Sequence, residues 1–243
     1  MSCDLGLFLK CPSPEMVEAI GISNLDFVVI DMEHTPLGPK DLYPLVLASE
    51  RRNLKSIVRI PQKVDSYFKW CRDLNVSAIQ VPHVETKEDA LYAIKHSYFS
   101  PIGERGLCRF VRAADFSGIE KSQYLTQANE TANLILQIEG INAVKNLNDI
   151  LSVINPNISI FIGPYDLSQS LGIPGQIWDD RVVDKMKEIV SRCQEQNIRV
   201  GTFTDTVEGI EFWSSRGISF IEYASDLNVF INSANQLKTH LKI

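Results

Sequence analysis

The sequence predicts a single (β/α)8 barrel, and three observations carry that expectation. Eight short apolar runs recur along 243 residues, close to the ~250 typical of such a barrel. The runs are continuous rather than alternating, as in parallel strands covered on both faces. Stretches of helical period separate them. The rival is a doubly wound open sheet, which usually carries a glycine-rich phosphate turn after its first strand; "FLKCPSPE" contains no glycine.

Taken in order, the first run is "LGLFL" (5–9), followed by "SPEMVEAI", where Ser13 is a helix cap, Pro14 suits the first turn and Glu15 faces the positive end of the dipole. The second, "LDFVVI" (25–30), stops on Asp31, Glu33 and His34. The third, "KSIVRI" (55–60), carries Arg59 near its end, and the fourth is "SAIQVP" (77–82). A helix then opens at Thr86 with acids in its first turn and closes near Lys95 and His96. Between it and the fifth run lies an inserted segment, "YFSPIGERGLCRFVRAADFSG" and a helical "QYLTQANE", too long for a plain connection. It holds Arg105, Arg109 and Arg112. The fifth run, "NLILQI" (133–138), ends at Glu139, and the sixth, "ISIFIG" (158–163), leads through Pro164 to Asp166. The amphipathic "DDRVVDKMKEIVSRCQEQN" ends at Asn197. The last runs are "IRVGTF" (198–203) and "ISFIEY" (218–223), the latter followed by Ser225-Asp226. No linker or shift in composition divides residues 1–243, so one domain is expected.

The net charge of −6 argues against nucleic acid or an anionic membrane as the main partner and leaves a cation open. No stretch approaches the ~20 apolar residues of a membrane span. The N-terminus has an acid where a signal peptide carries bases. Cys3, Cys11, Cys71, Cys108 and Cys193 have no C-x-x-C spacing, which fits free thiols in the cytoplasm better than a disulfide frame or zinc site.

In a parallel barrel every strand ends at one face, and the active site lies there. Asp31, Glu33, His34, Arg59, Glu139, Asp166 and Asp226 all follow or end strands, whereas the strand entries are mostly bland. Two carboxylates ~6 Å apart repel by roughly 3 kcal/mol at an effective dielectric near ~20. Several at one opening call for a protonated acid or a divalent cation, and carboxylates without thiolates suit a hard ion such as Mg2+ or Mn2+.

The segments "DFVVIDMEHTP", "IVRIP", "QVPHVETKEDA", "SPIGERG", "LILQIEG" and "IFIGPYDLSQSLGIPG" resemble, in order, those of the metal-dependent pyruvate aldolases of the HpcH/HpaI family. The resemblance runs from about Gly6 to the C-terminal helix. It implies a barrel that binds Mg2+, Mn2+ or Co2+ through Glu139 and Asp166, with pyruvate chelating the metal. Gln137 and the backbone at Gly163, Pro164, Tyr165 and Asp166 would hold the substrate, and Arg59 would sit by its keto oxygen. His34 would move protons through water, partnered by Asp73 from a neighbouring subunit. The resemblance further implies a homo-hexamer, a trimer of dimers, whose last helix packs on a neighbour. The reaction would be cleavage of a 4-hydroxy-2-oxo acid to pyruvate and an aldehyde. Thr35, Cys108, Asn75 and Lys10 depart from the family's pattern; the metal ligands match it, so pyruvate binding is expected, and the departures leave the acceptor side and the loop bearing Cys108 open.

Blander readings stand beside these. Asp166 before "LSQSL" also fits a helix cap. Arg59 also fits an ion pair neutralising strand-end acids. Asp31 fits an orienting role behind a ligand or water. His83, after Pro82, fits either the mouth or a loop, and the inserted arginines fit an acceptor carboxylate or the loop's own solvation. Three rival functions remain: a Schiff-base aldolase using Lys10, a related metal lyase acting on an acyl-CoA thioester or oxaloacetate, and a non-catalytic barrel kept for binding.

Overall fold

The computed structural model describes residues 3–240. Eight strands, β1 (Asp4–Leu9), β2 (Phe27–Asp31), β3 (Lys55–Arg59), β4 (Ala78–Val81), β5 (Asn133–Ile138), β6 (Ile158–Ile162), β7 (Val200–Thr204) and β8 (Phe220–Ser225), close into a barrel in sequence order. Every neighbouring pair is parallel. The expected (β/α)8 architecture is therefore the observed one.

The helices form for reasons visible in the chain. Ser13 accepts from the Met16 N–H at the head of Pro14–Ile22, and Thr86 and Asp89 make a reciprocal capping box at the head of Lys87–Ser97. Several helices stop the same way. Asn53, Asn75, Asn197 and Gly217 take positive φ, and the apolar residue after each donates its N–H back into the helix: Leu54 to Ser49 O at 2.9 Å, Val76 to Cys71 O at 3.2 Å, Ile198 to Cys193 O at 2.9 Å and Ile218 to Trp213 O at 3.2 Å. This closure explains why β7 and β8 begin two residues later than the apolar runs suggest. Ile198 and Ile218 finish the preceding helix before the ladder starts. Likewise Gly163 leaves β6 and becomes the N-cap of the helix Pro164–Ser170.

The core has two parts. Phe8, Phe27, Val29, Ile57, Ala78, Ile135, Phe161 and Phe220 fill the barrel, and a larger apolar layer lies between strands and helices. A Cβ on Gly201 would overlap the Phe220 ring, so glycine there makes room for an aromatic inside the barrel. Above the apolar filling, towards the strand C-termini, the interior turns polar. Arg59, Gln80, Gln137, Glu139 and Glu222 are all buried. Strand register sets Asp31 beside Arg59 and Arg59 beside Gln80.

The insertion between β4 and β5 folds as a short 3-10 stretch, Arg112–Ser117, and a helix, Lys121–Thr131. Arg109 donates to Ile119 O at 2.9 Å, and Arg112 donates to Leu74 O at 2.9 Å and pairs with Glu50. Both arginines thus anchor the insertion rather than reach the mouth. No helix among the described residues is long and apolar enough to cross a membrane.

Candidate active site at the strand C-termini

The mouth of the barrel is a cavity of about 360 Å³. Phe8, Phe203 and Tyr165 form one wall, with ring centroids 6.0 Å apart for Phe8–Phe203 and 5.7 Å for Tyr165–Phe203. Lys10, His34, Arg59, Gln137, Gly163, Pro164 and Asp166 complete much of the lining.

Arg59 is held from below. Asp31 is fully buried and takes two hydrogen bonds from it, Nε to Oδ1 and Nη2 to Oδ2, both 2.9 Å. Lys10 Nζ donates to the same carboxylate, and the Glu33 and His34 amides donate to Oδ1 at 3.1 and 3.3 Å. Burial pushes the Asp31 carboxyl up, but the bonds and charges of Arg59 and Lys10 outweigh it and hold it at about 2. Asp31 is therefore an anionic support that fixes the guanidinium, and it does not line the cavity.

The acids across the mouth are held differently. Glu139 is buried, and its Oε1 accepts from the His83 backbone N–H at 2.8 Å and pairs with His83 Nδ1 at 3.0 Å. Gln137 Nε2 donates to Oε2. Burial raises the Glu139 pKa, but the bonds from His83 and Gln137 bring it below the ordinary value. Asp166 faces the cavity, and partial burial together with the Glu139 charge raises its pKa. Among the described residues its carboxylate has no hydrogen bond or ion pair. His83 also reaches Glu33 Oε1 at 3.3 Å, and its hydrogen bond to Glu139 lifts its pKa to about 9. Its backbone sits at φ +52, a conformation few histidines adopt.

This donor set fits a hard divalent cation. Glu139 is ionised, Asp166 is free, and a Cβ at Gly163 would stand 2.6 Å from Glu139 Oε2, so only glycine leaves that flank of Glu139 open. Among the described residues no cluster of three or more His, Cys, Asp or Glu is arranged to hold a metal. Two protein carboxylates would leave the remaining octahedral positions to water and substrate, as Mg2+ sites commonly do.

His34 projects over the cavity, its side chain 64 % exposed, with Nε2 4.0 Å from Glu33 Oε2. Gly163 N–H is used by Ile138 O at 3.2 Å and Pro164 has none, so of the expected backbone donors only Tyr165 and Asp166 retain amides at the helix start. Asp73 ends the helix Asp65–Leu74, before β4, and bonds Arg105 at 2.8 Å. It therefore lies at the opposite end of the barrel from the mouth of its own chain. Asp226 corrects an expectation. Its carboxylate accepts from the Lys10 and Cys11 amides at 2.9 and 2.8 Å, tying β1 to β8, and is not a free acid of the mouth.

Sequence reasoning missed a polar column beneath the site. Gln80 Nε2 donates to Gln137 Oε1 at 2.9 Å and to Glu222 Oε2 at 3.3 Å, and Gln137 in turn holds Glu139. Burial raises the Glu222 pKa to about 8, against the lowering effect of Arg59. The signal was present, since "AIQV" and "FIEY" each place one polar residue inside an otherwise apolar or aromatic strand.

Residues 4–233 match the HpcH/HpaI aldolase/citrate lyase family. The chain belongs to this family. It is 31% identical over 242 residues to a 2-dehydro-3,6-dideoxy-6-sulfogluconate aldolase of Pseudomonas putida, covering 99% of this chain and 93% of the relative. It is 32% identical over 190 residues to a 2-keto-3-deoxy-L-rhamnonate aldolase of Salmonella gallinarum, covering 78% and 68%. Among solved structures, a family protein from Burkholderia cenocepacia superposes with a TM-score of 0.93 at 27% identity, covering 100% and 95%. The citrate synthase SbnG superposes with 0.87 at 28% identity, covering 99% and 94%. The chain is an aldolase-type carbon–carbon lyase, of a family whose members are generally metal-dependent.

Proposed function

We propose that the chain, as one (β/α)8 domain over 1–243, reversibly cleaves a 4-hydroxy-2-oxo acid to pyruvate and an aldehyde through the pyruvate enolate. The observation that carries this reading is the pair Glu139 and Asp166, one held below its ordinary pKa by His83 and Gln137, the other unpaired among the described residues, with Gly163 against Glu139 and Arg59 lining the same cavity as Asp166. Mg2+, Mn2+ or Co2+ held by the two carboxylates would supply Lewis-acid polarisation of the keto group. Arg59, fixed by Asp31, adds a preorganised positive charge where the enolate oxygen develops. Gln137 and the Tyr165 and Asp166 amides orient the carboxylate. Asp31 acts by positioning Arg59. His34, which lines the cavity, moves the proton of the C4 hydroxyl as a general base.

Asp73 joins this machinery only if a second copy brings it to His34. A homo-hexamer built as a trimer of dimers meets that need. The C-terminal helix Asp226–His240, with Leu227, Phe230, Ile231 and Leu237 exposed, offers apolar surface for a neighbour to cover. Five free cysteines agree with a cytoplasmic setting. The likeness to a citrate synthase supports a second reading, a lyase or synthase working on an acyl thioester or oxaloacetate with the same metal core. The test is a panel of pyruvate with aldehydes, oxaloacetate and acyl-CoA, before and after EDTA. Aldol activity should vanish on chelation and return with Mn2+, Mg2+ or Co2+; activity that survives thorough chelation overturns the reading.

A further inference from the structure

We infer that a cavity at the opposite end of the barrel, beside the N-terminal ends of β4 and β5, is a second binding site for a small, multiply charged oxyanion of the phosphate type. The cavity measures about 300 Å³ and lies between the helix Asp65–Leu74, the insertion and the helix Lys121–Thr131. Asn133 opens β5 there, and five residues at ~3.3 Å each set it about 17 Å from the Ile138 end, where the mouth begins.

Two buried guanidiniums line it. Arg72 is 4% exposed and Arg105 8%. Arg72 Nη2 donates to Asn133 O at 2.8 Å, its Nε is buried without a partner, and among the described residues no carboxylate pairs with it. Arg105 spends one nitrogen, Nη2, on Asp73 Oδ1 at 2.8 Å and Tyr124 Oη at 3.2 Å, and its Nε is likewise buried and unpartnered. Asn75, Gln127 and Thr131 add neutral polar groups, and no acid lines the cavity. Two arginine charges against the single charge of Asp73 leave one positive charge uncompensated.

A buried ion without a counter-ion is strongly destabilising, because desolvation is not repaid. Water can occupy an N–H but cannot neutralise the charge. Burial lowers the Arg72 pKa to about 10, so it still carries its proton at neutral pH. Arginine's planar fork matches phosphate oxygens in pairs, and the volume is at the small end of ligand pockets, which excludes a large cofactor. The inference does not depend on which aldol substrate the mouth accepts.

The experiment is thermal unfolding of the full chain in chloride buffer with EDTA, titrated with inorganic phosphate at constant ionic strength. Wild type, Arg72→Leu and Asp166→Asn are compared. Wild type should show a saturable rise in Tm. Arg72→Leu should fold, be at least as stable without phosphate, and need at least tenfold more phosphate for the same shift. Asp166→Asn should respond as wild type does, which separates this cavity from the mouth. Should Arg72→Leu fail to fold, Gln127→Glu places a carboxylate at the cavity and should abolish the response. Equal shifts in wild type and Arg72→Leu, no saturable shift in wild type, or an Arg72→Leu protein with altered oligomeric mass would overturn the proposal. The last outcome would mean that a second copy supplies the counter-ion.

Discussion

Glu222 offers a measurable consequence of the polar column. Its carboxyl is fully buried, and among the described residues neither its Oε1 nor the nearby Gln80 Oε1 has a partner. Burial raises its pKa from the ordinary 4.5 to about 8. At ~1.4 kcal/mol per pH unit, that difference is worth roughly 5 kcal/mol between the protonated and ionised folded forms. The sign follows from linkage. Between pH 4.5 and 8 the folded state binds a proton that the unfolded state has lost, so this stability is fully present below 4.5 and drains away as pH rises through 8. Glu222→Gln keeps the shape and supplies an N–H where the acid has O–H, but it does not titrate. Denaturant unfolding at fixed protomer concentration should find the two proteins within about 1 kcal/mol at pH 5, with the Gln variant more stable by several kcal/mol at pH 8.5. Parallel pH profiles would refute the assignment of a neutral acid at the barrel centre.

Other outcomes follow from the site. Gly163→Ala puts a Cβ 2.6 Å from Glu139 Oε2, so calorimetry should find Mn2+ affinity reduced at least about tenfold while far-UV circular dichroism stays unchanged. Asp31→Asn loses the charge that holds Arg59 and leaves two cations facing a neutral amide; kcat should fall about 10²- to 10³-fold, and the variant should lose stability of order 3 kcal/mol. A variant with unchanged kcat would remove Asp31 from the positioning of Arg59. Gly201→Ala must displace the Phe220 ring inside the barrel, and chemical denaturation should show a loss of about 1–3 kcal/mol.

The architecture was legible in the sequence because strand and helix periods, caps and continuous apolar runs are local signals. All eight strands fall within two residues of the runs that announce them, and the shifts at β7 and β8 have a local cause, the helix closure at Ile198 and Ile218. The gathering of charge was legible too, since parallel strands must deliver Asp31, Arg59, Glu139 and Asp166 to one face.

What the sequence determined by itself is which residues stand at the strand ends. What each does there was decided only in three dimensions. Asp31 and Asp226 are both acids after apolar runs, yet one clamps an arginine and the other ties two strands through backbone amides. The Glu139 and Asp166 pKa values shift in opposite directions because His83, 56 positions away from Glu139 along the chain, bonds the first and leaves the second unpaired among the described residues. Arg72 reads as an ordinary helix residue until burial strips it of water and leaves it without a counter-ion among the described residues. The physical reason is common to all of these. Periodicity is written in neighbours along the chain, whereas the state of a charged group depends on desolvation and on partners 2.8 to 3.3 Å away that the fold brings in from distant parts of the chain.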